Sequence, residues 1–80
     1  GLIATARPLI GQNRQDEAVQ FLQLNAKLFP KSAASYVTMA QAQQSKKDNA
    51  AAIASLQKAL EIDPKNGQAT RMLAQLQPKK

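Results

Sequence analysis

Residues 16–30, DEAVQFLQLNAKLFP, and residues 50–64, AAAIASLQKALEIDP, align without a gap at an offset of 34. Ala18 pairs with Ala52, Val19 with Ile53, Leu22 with Leu56, Ala26 with Leu60, Leu28 with Ile62 and Pro30 with Pro64. Self-similarity at this period is what stacked helical hairpins produce, because one such unit cannot bury its apolar face alone.

The segment between the two prolines carries a helical pattern as well. In SAASYVTMAQAQQSKK, from Ser32, the residues Ala33, Tyr36, Met39, Ala40 and Gln43 fall on one stripe at spacings of three and four. Ser32 suits the N-cap, and Lys46 with Lys47 suits the negative end of the helix dipole. Asp48 then offers an oxygen to the first free amides of a helix beginning near Asn49. Residues 32–62 therefore read as helix, tight turn, helix. After Pro64 a further helix begins, with Thr70, Leu73 and Ala74 one period on from Tyr36, Met39 and Ala40, and it runs out at Pro78.

The N-terminal stretch fits least well, because Pro8 falls where the first helix of the first hairpin should lie. A proline inside a helix costs about 3 kcal/mol or more. Two arrangements are open: a short or bent helix ending near Gln12, which the pattern favours, or a helix starting at Pro8 with residues 1–6 frayed.

Eighty residues make one small domain that buries about 60 to 65% of its unfolded surface, so the core is expected to be thin. A hydrophobic share of 44% with 20% charged residues fits a folded chain rather than a disordered one. The longest apolar run, AAAIA, is far short of the roughly 20 residues that cross a bilayer. The chain opens without a methionine, and Arg7 and Pro8 interrupt it too early for a signal-peptide hydrophobic region. It reads as a piece of a longer polypeptide.

These residues resemble the tetratricopeptide repeat, a 34-residue helical hairpin whose pattern sets aromatic, Leu and Gly near its start and Ala, Phe and Pro later. The second copy holds Tyr36, Met39, Ala40, Gln43, Ala52, Leu56 and Pro64 at the matching places, and the first keeps Ala18, Leu22 and Pro30. Gln43 stands where an aromatic is usual and Asn25 where alanine is usual, so both hairpins are expected to pack less fully. The resemblance implies an all-α fold of about five helices, antiparallel hairpins stacked as a short right-handed superhelix. One domain over 1–80 would comprise a degenerate first hairpin (1–30), a full repeat (31–64) and a C-terminal capping helix (65–77). Within it, small side chains at Ala40 and Ala52 would let two helices approach closely while Leu56 and Leu60 fill the space towards the next repeat. A narrower resemblance joins EAVQFLQLNAKLFPKSAASYVTMAQAQ, residues 17–43, to the helical extension at the C-terminus of bacterial serine hydrolases of the β-lactamase-like and esterase type. The catalytic machinery would then lie upstream.

No catalytic set is visible in the chain. With no cysteine and no histidine, thiolate chemistry, the common zinc ligands and the usual general base are absent. Ser45 beside Lys46 and Lys47 reads as a solvated helix end, and no glycine-rich phosphate loop is present. Neither an enzyme activity nor a cofactor or metal is expected. The net charge of +6 raises nucleic acid as a partner, but the eleven Lys and Arg are spread evenly without interleaved aromatics for base stacking. A protein or peptide partner, or the upstream domain of the same chain, is expected instead.

Two surfaces are candidates. In tetratricopeptide arrays the first helix of each hairpin lines a concave groove, which would present Ala34, Val37, Gln41, Gln44 and Ser45, followed by Arg71 and Gln75. Members that bind chaperone tails carry lysine and asparagine at the places held here by Val37 and Gln41, so a carboxylate clamp is not expected. The second surface is an apolar patch of Phe21, Leu24 and Phe29 on the first hairpin, where the next repeat has Ser55 and Asp63 opposite the two aromatics. It would dock an upstream domain or a second copy in a homodimer, or else cover the open N-terminal end of the stack. On the docking reading, Phe21→Ser should cost little stability.

Overall fold

The computed structural model describes residues 2–77, and five helices account for most of them: α1 (Leu2–Gly11), α2 (Gln15–Leu28), α3 (Ala33–Ser45), α4 (Asn49–Ile62) and α5 (Gly67–Leu76). No strand occurs among the described residues. The expected end of the last helix at Pro78 lies outside the described residues. The starts of α2 and α4, their ends, and the starts of α3 and α5 are each 34 positions apart, so the period holds in space as it does in sequence.

The turns repeat at the same interval because the same local chemistry recurs. Asn13 and Lys47 both take the left-handed conformation, with φ of 65° and 64°. After each, the next amide reaches back across the helix end, from Arg14 N to Leu9 O at 2.8 Å and from Asp48 N to Gln43 O at 2.9 Å. This is the hydrogen bond of a Schellman ending, which satisfies carbonyls that the helix leaves free. The other turn is built round Pro30 and Pro64, closed by Ser32 N to Phe29 O at 3.0 Å and Asn66 N to Asp63 O at 3.1 Å. Proline at the second place of a four-residue turn has its φ already set.

Three of the helix starts carry side-chain caps. Ser32 Oγ accepts from Ser35 N at 3.3 Å, Asp48 Oδ1 from Ala51 N at 3.3 Å, and Asn66 Oδ1 from Ala69 N at 2.9 Å. At the corresponding place before α2 stands Arg14, which makes no cap bond. There Asp16 and Glu17 supply the negative charge that a helix start favours.

Each helix packs on the one before it, and α1 also touches α3. Among the described residues, nine of the thirteen buried hydrophobic ones are alanines, so the helices lie close and the core is thin. It has two parts. Ala6, Ala18, Leu22, Met39 and Ala42 hold the first hairpin against α3, and Ala33, Val37, Ala40, Ala52, Leu56, Ala59 and Ala69 join α3, α4 and α5. Tyr36 packs against both. Ala40 and Ala52 are both fully buried, in keeping with close helix approach at this crossing.

Residues 2–6 are helical and not frayed: α1 passes through Pro8 and ends at Gly11, close to the expected Gln12. Pro8 and Ala4 are both exposed, so the hydrogen bond that proline removes is lost on the solvent side. Ala6, on the opposite side, is 0% exposed and lies one period before Ala40. Burial of this face against α2 and α3 offsets the proline.

Candidate functional site

The first helices of the hairpins, α1 and α3, and the unpaired α5 leave a run of side chains in solvent. On α3 these are Ala34, Gln44 and Ser45, with Gln41 half-buried. On α5, Arg71 and Gln75 are exposed. Val37 does not join them. It lies on the same helical face as Ala34, Gln41 and Gln44 but is 3% exposed, covered within the core that holds Ala40 and Ala69. Gln68, one period after Ala34, and Arg7, one period before Gln41, are also exposed and extend the same stripe. The 34-residue offset marks both positions in the sequence.

The residues that depart from the repeat pattern are paired with each other. Ser55 Oγ donates to Gln43 Oε1 at 2.6 Å, joining α4 to α3. One period earlier the same two positions hold Phe21 and Leu9, both packed against the first-hairpin core. Asn25, 3% exposed, donates from Nδ2 to Ser35 Oγ at 2.6 Å, and Ser35 Oγ lies 3.0 Å from Ser32 Oγ. One period later those places are Ala59 and Ala69, both fully buried. Gln43 and Asn25 therefore do not leave the hairpins loosely packed. Each exchanges an apolar pair for a hydrogen-bonded one, and no buried side-chain polar atom among the described residues lacks a partner.

Phe21 is half-buried against Ala18, Leu22 and their neighbours, so Phe21→Ser is expected to cost stability rather than leave it unchanged. Of the expected patch, Leu24 and Phe29 are exposed, at 48% and 58%, and Leu28, which the expectation did not include, is exposed as well, at 61%.

Charge is arranged mainly at the helix ends. Arg14 Nε and Nη2 donate to the two oxygens of Glu17 at 2.8 and 2.6 Å. Those hydrogen bonds hold the Glu17 carboxyl below its ordinary value and raise the Arg14 guanidinium. Lys46 pairs with Asp16, and Gln15 Nε2 donates to Ser45 Oγ at 3.0 Å, so the start of α2 is tied to the end of α3. An open depression of about 800 Å³ lies between the α2–α3 and α4–α5 turns, lined by Lys31, Ser32, Ala34, Glu61 and Asp63 among others. Charges of both signs line it. On the seam of α4 and α5, Leu60, Leu73 and Ala74 border a smaller apolar groove of about 310 Å³.

Among the described residues, no group of three or more His, Cys, Asp or Glu could hold a metal ion, and no helix is long and apolar enough to cross a membrane. The architecture defines a protein of stacked antiparallel helical hairpins with no assembled catalytic group among the described residues. Residues 33–66, which hold α3, α4 and the turn after them, match the family model of the tetratricopeptide repeat. No curated protein matches the chain. The comparisons give no support to the likeness with the serine-hydrolase extension.

Proposed function

We propose that this chain is a non-catalytic protein-interaction module that binds a peptide segment along the exposed faces of α1, α3 and α5. The observation that carries the reading is the stripe itself. Ala34, Gln41, Gln44, Arg71 and Gln75 are at least partly open to solvent on elements held in register by a repeated set of turns and caps. Small and amide side chains on rigid helices suit recognition of an extended backbone, since a carboxamide both donates and accepts hydrogen bonds. Peptides selected against the 80-residue chain should shift backbone amide resonances of α1, α3 and α5. Shifts confined to α2 and α4 would refute the groove.

A second reading rests on Leu24, Leu28 and Phe29, the exposed large hydrophobic side chains among the described residues, which lie within six positions of one another. This patch would dock a second copy of the chain or an upstream domain.

A further inference from the structure

The caps of α3 and α5 stand one period apart and nearly match in backbone angle, with φ −86° and ψ 92° at Ser32 and φ −70° and ψ 102° at Asn66. Ser32 with Ala33 therefore starts a helix as Asn66 with Gly67 does, and this cap requires neither a carboxamide nor a glycine. Packing does not require Gly67 either. Its φ is not positive, and a Cβ added there would meet nothing within 4 Å. Nowhere else in the chain does glycine follow asparagine: Asn13 precedes Arg14, and Asn25 and Asn49 precede alanine. A carboxamide next to an amide that no side chain shields is the pairing most prone to lose ammonia.

We propose that Asn66–Gly67 is a site of spontaneous deamidation, reached when the first turn of α5 opens, and that its isoaspartyl product loosens α5 from α4. The Gly67 nitrogen gives up its proton and attacks Asn66 Cγ. The Cγ–Nδ2 bond breaks, ammonia leaves with that proton, and a five-membered imide closes. Water then adds to one of the two imide carbonyls. Breaking the Cγ–N bond leaves an aspartyl residue in an ordinary chain, and breaking the C–N bond leaves an isoaspartyl residue with the chain running through Cβ. The folded helix start holds the reaction back. Ring closure needs the Gly67 nitrogen over Asn66 Cβ, and ψ of 102° places it on the far side of the Cα–C bond. The side chain is held too, since Asn66 Oδ1 accepts from Ala69 N at 2.9 Å and Ala69 is fully buried. That turn follows an exposed Pro64 and Lys65 and contains a glycine, so it opens at low cost. The aspartyl product keeps a cap like that of Asp48 on α4, with a charge suited to a helix start. The isoaspartyl product adds a methylene to the backbone at the cap, which displaces the carbonyl that accepts from Thr70 N at 3.1 Å and shortens the capping side chain. None of this chemistry depends on what the stripe binds.

Mass spectrometry of tryptic fragments from the 80-residue chain, aged at mildly alkaline pH, provides the test, because cleavage after Lys65 and Arg71 releases residues 66–71 as one fragment. This fragment should gain the mass of an amino group exchanged for hydroxyl about tenfold faster than those holding Asn13, Asn25 or Asn49. Gly67→Ala should slow the gain by about tenfold, its Cβ crowding the ring closure. The urea-unfolded chain should react roughly tenfold faster than the folded one, since α5 no longer has to open. By hydrogen exchange, the isolated isoaspartyl form should lose protection in α5 while α1, α2 and α3 keep theirs, and Asn66→Asp should keep it throughout. Equal rates at all four asparagines, equal rates in Gly67→Ala and the parent, equal rates in folded and unfolded chain, or full α5 protection in the isoaspartyl form would each overturn it.

Discussion

At Ala52 the fold depends on the absence of atoms. This side chain and Ala40 are both fully buried, and Leu56 lies beside them in the same part of the core. Ala52→Leu should destabilise the chain by about 1–3 kcal/mol through overpacking. Ala54→Leu, on the exposed side of the same helix, should stay within about 0.5 kcal/mol of the parent in urea denaturation. Equal midpoints for the two variants would contradict close helix approach. Lys47 is the opposite case, a long side chain where the backbone favours none. Its φ of 64° is in the region where L-residues other than glycine are strained by about 1–2 kcal/mol. Lys47→Gly should therefore raise stability by about 0.5–1 kcal/mol after the extra freedom of glycine in the unfolded chain is counted. Asn13→Gly should raise it less, since asparagine tolerates this conformation, and thermal melts of the two variants would decide the order.

At the level of the helix, the hairpin period, the caps at Ser32 and Asp48 and the endings at Gly11 and Ser45 follow from interactions within a few residues, and for that reason they were legible before any packing was known. α1 was legible in its end but not in its start, because Pro8, whose local cost is large, left open whether the residues before it are helical. Pro8→Ala restores the missing amide at an exposed position of the helix. It should stabilise the chain by about 2 kcal/mol and increase the helical circular-dichroism signal, the gain being limited because proline also restricts the unfolded state. No gain would mean that α1 contributes little to the folded state. Phe21 illustrates a different limit. Opposite Ser55 in the alignment it looks like a surplus aromatic, yet Leu9 and Gln43 change together with the two of them, apolar with apolar and polar with polar. Such exchanges involve side chains twelve positions apart on different helices, and a single-segment pattern cannot register them.

Across the whole molecule, two faces remain to be assigned a role: the stripe on α1, α3 and α5, and the patch of Leu24, Leu28 and Phe29. Sedimentation equilibrium separates them. If the patch serves self-association, the chain should show a concentration-dependent dimer that Leu24→Ser/Phe29→Ser abolishes without moving the melting midpoint, since both side chains are largely exposed. A monomer at every concentration would remove the homodimer reading and leave the polar stripe as the binding surface. The sequence by itself determined the all-helical hairpin architecture, its 34-residue register and its turns, because periodicity, capping and proline placement act over short stretches of chain. Only the tertiary structure decided that Val37 is core and Arg7 is surface, that Pro8 is tolerated, and that Gln43 and Asn25 are satisfied by Ser55 and Ser35. Burial and hydrogen-bond partnership belong to helices brought together from distant parts of the chain, and they come into being only when those helices pack.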